Sequence, residues 1–166
     1  LNLSKNIYVL SIVMSLNFAA TSMMALVAGL LGAKIAPTPE LATLPIAMMV
    51  VGTAAASIPA ALIMQKIGRK KGLVVGNLTA ILGLLIAYFA AANQQFSLFV
   101  IASIMIGFNA AFIQQGRFII MENASSDIQV ADGLTLALLA NLFAAILGPA
   151  LGAYGRDLIP SVGVYS

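Results

Sequence analysis

The sequence predicts an all-α fold, a polytopic transmembrane bundle of about five helices, and three observations carry that expectation. Hydrophobic residues make up 61% of the 166-residue chain and charged residues only 8%, against about a quarter charged in a soluble domain. The mean hydropathy of +1.06 implies more apolar surface than one core can hide, so lipid is the solvent that most of the chain requires. The apolar residues also fall into five runs near residues 7–31, 41–64, 73–92, 97–120 and 133–154, each close to the ~20 residues that cross a hydrocarbon core as a helix. In lipid the backbone must satisfy its own hydrogen bonds, which makes the runs helical. The short links between them make sequential neighbours antiparallel.

Taken in order, the first run holds ~25 residues with no clear cleavage site, so it reads as a retained helix and not a signal peptide. The second contains Pro45 and Pro59, and the fifth Pro149. Proline bends a membrane helix where neighbouring helices re-satisfy the freed carbonyl; for Pro45 the ordinary frequency of proline in such helices is explanation enough. The third run follows a link holding Lys66, Arg69, Lys70 and Lys71, and aromatic residues (Tyr8, Tyr88, Phe89, Phe96, Phe99 and Tyr154) fall near run ends, where the headgroup region suits them. Counted over alternating links, Lys5, the basic cluster and Arg117 lie on one side, Lys34 and Arg156 on the other. Basic residues concentrate in the cytoplasm, so six against two places the N-terminus there, with the far end outside, and the membrane expected is the cytoplasmic (inner) one. Glu122, Asp127 and Asp132 make the fourth link locally negative without changing that count. The chain begins with Leu1 and stops soon after the fifth run, the pattern expected of part of a longer protein.

With no cysteine and no histidine, thiol chemistry, disulfides, the commonest metal ligands and the usual general base are excluded. The net charge of +3 is a topology signal and not a nucleic-acid footprint, since four of the eight basic residues sit in one link. No motif supplies a nucleophile, a metal site or a phosphate-binding loop. The expectation is a protein that is no enzyme, has no catalytic or metal-binding residues, and takes no cofactor.

The most informative stretch is Ala61-Leu62-Ile63-Met64-Gln65-Lys66-Ile67-Gly68-Arg69-Lys70-Lys71-Gly72-Leu73, between the second and third runs. It resembles the signature loop of the major facilitator superfamily, Gly-x-Leu-x-Asp-Arg-x-Gly-Arg-Lys-x-x-Leu, with Lys66, Gly68, Arg69, Lys70 and Leu73 in register. Ala61 stands where the pattern has its first Gly and Gln65 where it has Asp. A tight turn needs a residue free to take positive φ, which Gly68 supplies, and the cations hold the turn in the cytoplasm. The resemblance implies a conformational loop at Gln65, Lys66, Gly68, Arg69 and Lys70, latched in the family through its Asp. The second stretch, Ala144 to Ala153, resembles the fifth-helix motif Gly-x-x-x-Gly-Pro-x-x-Gly-Gly, with Gly148, Pro149 and Gly152 matching and Ala144 and Ala153 as small substitutes. Small residues four apart allow close helix contact and the proline supplies a bend. In the family this motif accompanies exporters that exchange substrate for protons, so it tilts the reading toward an efflux antiporter.

Polar side chains inside the runs cost free energy in lipid and turn to the bundle interior. The resemblance implies that the first, fourth and fifth helices line a central cavity, which makes Asn17, Thr21, Asn109, Gln114, Arg117 and Asn141 the substrate-binding candidates. Arg117 is the one charge inside a run, placed to meet a substrate anion, to pair with Glu122 or Asp132, or to snorkel at the interface. The asparagines and glutamines also suit hydrogen bonds between helices. The function expected is secondary active transport of a small solute by alternating access. Its partners are the lipid bilayer, a small-molecule substrate, and a sixth helix and C-terminal half of the same protein or a second copy. The alternative is a transporter-like membrane receptor, scaffold or assembly factor without transport activity.

Overall fold

The computed structural model describes residues 5–123 and 127–158. Six α-helices follow one another among them: α1 Lys5–Ile35, α2 Leu44–Ile67, α3 Arg69–Ala92, α4 Phe96–Gln114, α5 Gly116–Asn123 and α6 Asp127–Leu158, with a 3-10 turn at Pro39–Leu41 between α1 and α2. No strand occurs among the described residues. Among the described residues five segments are long and apolar enough to cross a membrane, Tyr8–Ile35, Pro39–Ile67, Arg69–Ala92, Phe96–Met121 and Ile128–Gly152. The protein is therefore an all-α integral membrane protein. The side chains of Lys5, Glu122, Asp127, Ala153, Tyr154 and Arg156 lie outside the described ones.

Two local features differ from the sequence-based expectation. Pro45 lies in the first turn of α2 and not in its middle, and there its missing N–H leaves no bond unmade; Pro59 and Pro149 lie in the interiors of α2 and α6. The fourth apolar run is divided at Gln115, because the hydrogen-bond ladder tightens there: Gln115 N–H donates to Phe112 O at 3.2 Å and Phe118 N–H to Gln115 O at 3.1 Å. Bonds three residues apart close one α-helix and open the next. Gly116, just after the break, is buried against Met14, whose Sδ would lie 2.7 Å from a Cβ at that position.

The packing is inverted relative to a soluble protein. Leucine, isoleucine, valine and phenylalanine point outward along every long helix, as at Leu16, Ile58, Leu85 and Phe143, where lipid is as good a partner as protein. Small residues bring the helices closest together, with Ala28, Ala60, Ala90 and Ala102 wholly buried among larger side chains such as Phe99 and Ile106. Close backbone approach, not hydrophobic exclusion, holds helices together in lipid. The most buried span is the one that contains α4.

Two of the three principal helix pairings are not sequential. α4 packs along both α2 and α3, and α1 packs along α6, while α1 and α2, or α2 and α3, meet only lightly. At the α2–α4 crossing two glycines face opposite backbones: a Cβ on Gly52 would run into the Ile104 carbonyl oxygen, and one on Gly107 into that of Met49. The Thr53 hydroxyl, also bonded to Met49 O, donates to Gly107 O at 3.0 Å across the same contact. The α1–α6 crossing repeats this design, with Gly148 against the Ala19 carbonyl.

Gly68 alone joins α2 to α3. Its φ of 89° and ψ of 149° lie in a region that only glycine occupies readily. Nothing lies within 4 Å of where a Cβ would be, so a substitution there tests the backbone alone. Gly68→Ala is expected to lower stability in detergent by about 1–3 kcal/mol, read from thermal unfolding; no change would show that the turn relaxes without strain.

Candidate functional site

Two of the polar side chains flagged in separate runs are brought together in the bundle. Asn109 of α4, 4% exposed, donates from Nδ2 to Asn17 Oδ1 of α1 at 3.2 Å. Asn17 in turn donates from Nδ2 to Val13 O at 2.9 Å, so its amide is oriented from both ends. One turn on, the Thr21 hydroxyl donates to Asn17 O at 2.9 Å, which keeps Thr21 close to the helix. Asn109 Oδ1 is buried without a partner and faces α3 at Gly76, where a Cβ would lie 3.3 Å from it. Asn141 of α6 likewise keeps a buried, unpartnered Oδ1. A buried acceptor without a donor costs free energy, so these two oxygens are the polar atoms of the flagged residues that the helices leave unsatisfied.

Gln114 and Arg117 are placed differently. Gln114 is the last residue of α4 and Arg117 the second of α5, and both are exposed. Among the described residues no hydrogen bond joins them to the asparagine pair and no ion pair joins Arg117 to Asp132. They sit at the end of the bundle that carries the one-residue turn.

At that end a cleft of about 270 Å³ is lined by Ala61, Met64, Gln65, Arg69, Gln115 and Phe118. The Arg69 guanidinium stands 5.8 Å from the centre of the Phe118 ring. Lys66, Lys70 and Lys71 are exposed beside it. Gln65 thus faces the α4–α5 break across the cleft. The place of Phe118 at the cleft and of Thr53 at the α2–α4 crossing was not legible, since a lone phenylalanine and a lone threonine in apolar runs carry no signal; Gln115 was visible only as one of the polar residues of the fourth run.

The sequence profile of the Major Facilitator Superfamily matches residues 10–158. The chain belongs to that superfamily. A riboflavin transporter (RfnT) of Brucella anthropi is 31% identical over 156 residues, covering 94% of this chain and 39% of that protein. The chain therefore spans well under half the length of this curated relative. No solved structure matches the chain. Superfamily membership agrees with the all-α, membrane-spanning bundle described above. It also gives a context to Gly148 and Gly152: both face α1, where a Cβ on Gly148 would meet the Ala19 carbonyl oxygen and one on Gly152 would lie 3.2 Å from Met23 Cγ, on the stretch that follows Asn17 and includes Thr21.

Proposed function

We propose that the protein is a secondary transporter of a neutral, hydrogen-bonding heteroaromatic solute of the flavin class, worked by alternating access, with this chain supplying helices of its N-terminal half. The observation that carries the substrate class is the 31% identity to a riboflavin transporter across 94% of the chain. Neutral amides suit such a solute, because hydroxyl and imide groups pair with amides without the desolvation cost of an ion. On this reading Asn17, Thr21, Asn109 and Asn141 are the polar contacts or their supports, Gln114 and Arg117 stand at the mouth, and the Gln65–Lys70 turn moves between states. The excess of basic residues at that turn supports a cytoplasmic N-terminus in the inner membrane. The remaining helices of the transporter are the partner that completes the cavity. A second direction, efflux in exchange for protons, is favoured by the Gly148-Pro149 stretch and its likeness to the exporter motif.

The test is movement of labelled riboflavin in a riboflavin-auxotrophic bacterium expressing the whole reading frame that contains this chain, together with release from preloaded vesicles. Accumulation or release above a vector control, abolished by excess unlabelled riboflavin and lowered at least about fivefold by Asn17→Leu, is expected. No flavin movement in either direction, with the protein shown to be in the membrane, would sink the substrate assignment.

A further inference from the structure

The α2–α3 turn carries three cations that nothing in the described chain engages. Lys66, Lys70 and Lys71 are exposed, and among the described residues no hydrogen bond or ion pair holds their ammonium groups. They stand at the ends of two membrane spans, Lys66 beside the last residue of Pro39–Ile67 and Lys70 and Lys71 in the first turn of Arg69–Ala92. Residues four apart share a helix face. Lys66 is thus in line with Leu62 and Lys70 with Val74, apolar side chains that are both more than half exposed. An ammonium group at the edge of the hydrocarbon, in line with an apolar helix face, matches a phospholipid, whose phosphate is ionic and whose chains are apolar.

The cleft next to this turn narrows the choice of headgroup. Gln65 and Gln115 bring carboxamides to its walls, Ala61, Met64 and Phe118 are apolar, and none of the six lining residues is acidic. Arg69 is engaged by the Phe118 ring and enters only as a wall, with no bond of its guanidinium required. A carboxamide both donates to and accepts from a hydroxyl. The space of about 270 Å³ is ample for a group the size of glycerol.

We propose that the α2–α3 turn binds an anionic phospholipid of the phosphatidylglycerol class: Lys66, Lys70 and Lys71 hold its phosphate, and the Gln65 and Gln115 carboxamides hold its headgroup hydroxyls in the cleft. Free phosphate has no chains to lie along Leu62 and Val74, which makes the lipid the occupant. Two neutral amides would be idle in a site that answered only to surface charge. The site is independent of which solute the protein carries.

The test is a titration of the product of the whole reading frame, purified in detergent, with palmitoyl-oleoyl phosphatidylglycerol, the bound lipid being counted by native mass spectrometry. Unfolding midpoints without added lipid first establish that each variant is folded. The native protein is expected to bind phosphatidylglycerol in preference to phosphatidylcholine. Replacing Lys66, Lys70 and Lys71 together by Gln should weaken the tightest-bound lipid at least about tenfold, since each juxtamembrane cation contributes to holding an anionic headgroup. Lys66→Gln alone, expected to weaken it about threefold, takes the place of the triple variant if that one does not fold. Gln65→Leu with Gln115→Leu leaves the charge unchanged and should weaken it about threefold or more. Equal binding of the two lipids, native affinity in the lysine variants, or displacement of the lipid by inorganic phosphate overturns the proposal. Native affinity in the glutamine double variant overturns it as well, because the lysines would then act only as a diffuse surface charge. Lipid binding is read without any flavin, so it fails or holds separately from the transport reading.

Discussion

Gly107→Ala is expected to be the most damaging single-methyl change in the chain. The added Cβ would meet the Met49 carbonyl oxygen and lie 3.0 Å from Thr53 N, and neither is the end of a side chain that can swing away. Relief requires α2 and α4 to separate, which loosens the Thr53 hydroxyl bond to Gly107 O and the reciprocal contact of Gly52 with Ile104. Overpacking of this kind costs about 3 kcal/mol, a fall of about 6–12 °C in unfolding midpoint for a chain of this size. Gly29→Ala is the matched control. Its Cβ would find only Ile46 Cδ1 at 3.5 Å, an ordinary contact, and alanine is the better helix former by up to about 1 kcal/mol. The two substitutions should therefore move stability in opposite directions. Equal shifts in a thermal-melt comparison would show that the α2–α4 crossing is not set by its glycines.

The second large effect falls on transport and not on stability. Asn109→Leu removes the donor to Asn17 Oδ1 while keeping the branched skeleton of the side chain. Hydrogen bonds between membrane helices contribute about 0.6 kcal/mol on average and up to about 1.7, so unfolding should shift little. The cycle of Asn17→Leu, Asn109→Leu and the double variant should return a coupling in that range. On the function proposed above, flavin transport should nevertheless fall at least about fivefold, since the bond to Asn109 is half of what orients the Asn17 amide. Gln114→Leu and Arg117→Gln, at exposed positions, should leave stability within about 0.5 kcal/mol. If Asn109→Leu transports at the native rate, the pair only joins helices, and the substrate groups lie elsewhere.

Much of the site was visible residue by residue and little of it as an arrangement. Asn17 and Asn109 stood out because an amide in an apolar run is costly in lipid, yet nothing in the sequence says that residues 92 apart share a hydrogen bond. The Gly68 turn was legible because a basic tetrad around a glycine between two apolar runs leaves few other readings, and its positive φ follows. The break at Gln115 was hidden, since the residues around it remain apolar enough to continue a span. Phe118 was hidden for the same reason: its partner lies across the cleft and not along its own helix.

Composition alone made the chain a set of membrane helices, because partition into lipid sums over ~20 residues and tolerates many exchanges within each run. Tertiary structure alone decided that α4 lies between α2 and α3 and that α1 lies along α6. In helices that are apolar on every side no hydrophobic face points to a neighbour. Pairing rests instead on a few glycines and alanines that let backbones touch and on single polar bonds that lipid cannot replace, and these are local fits that no sum over a run records.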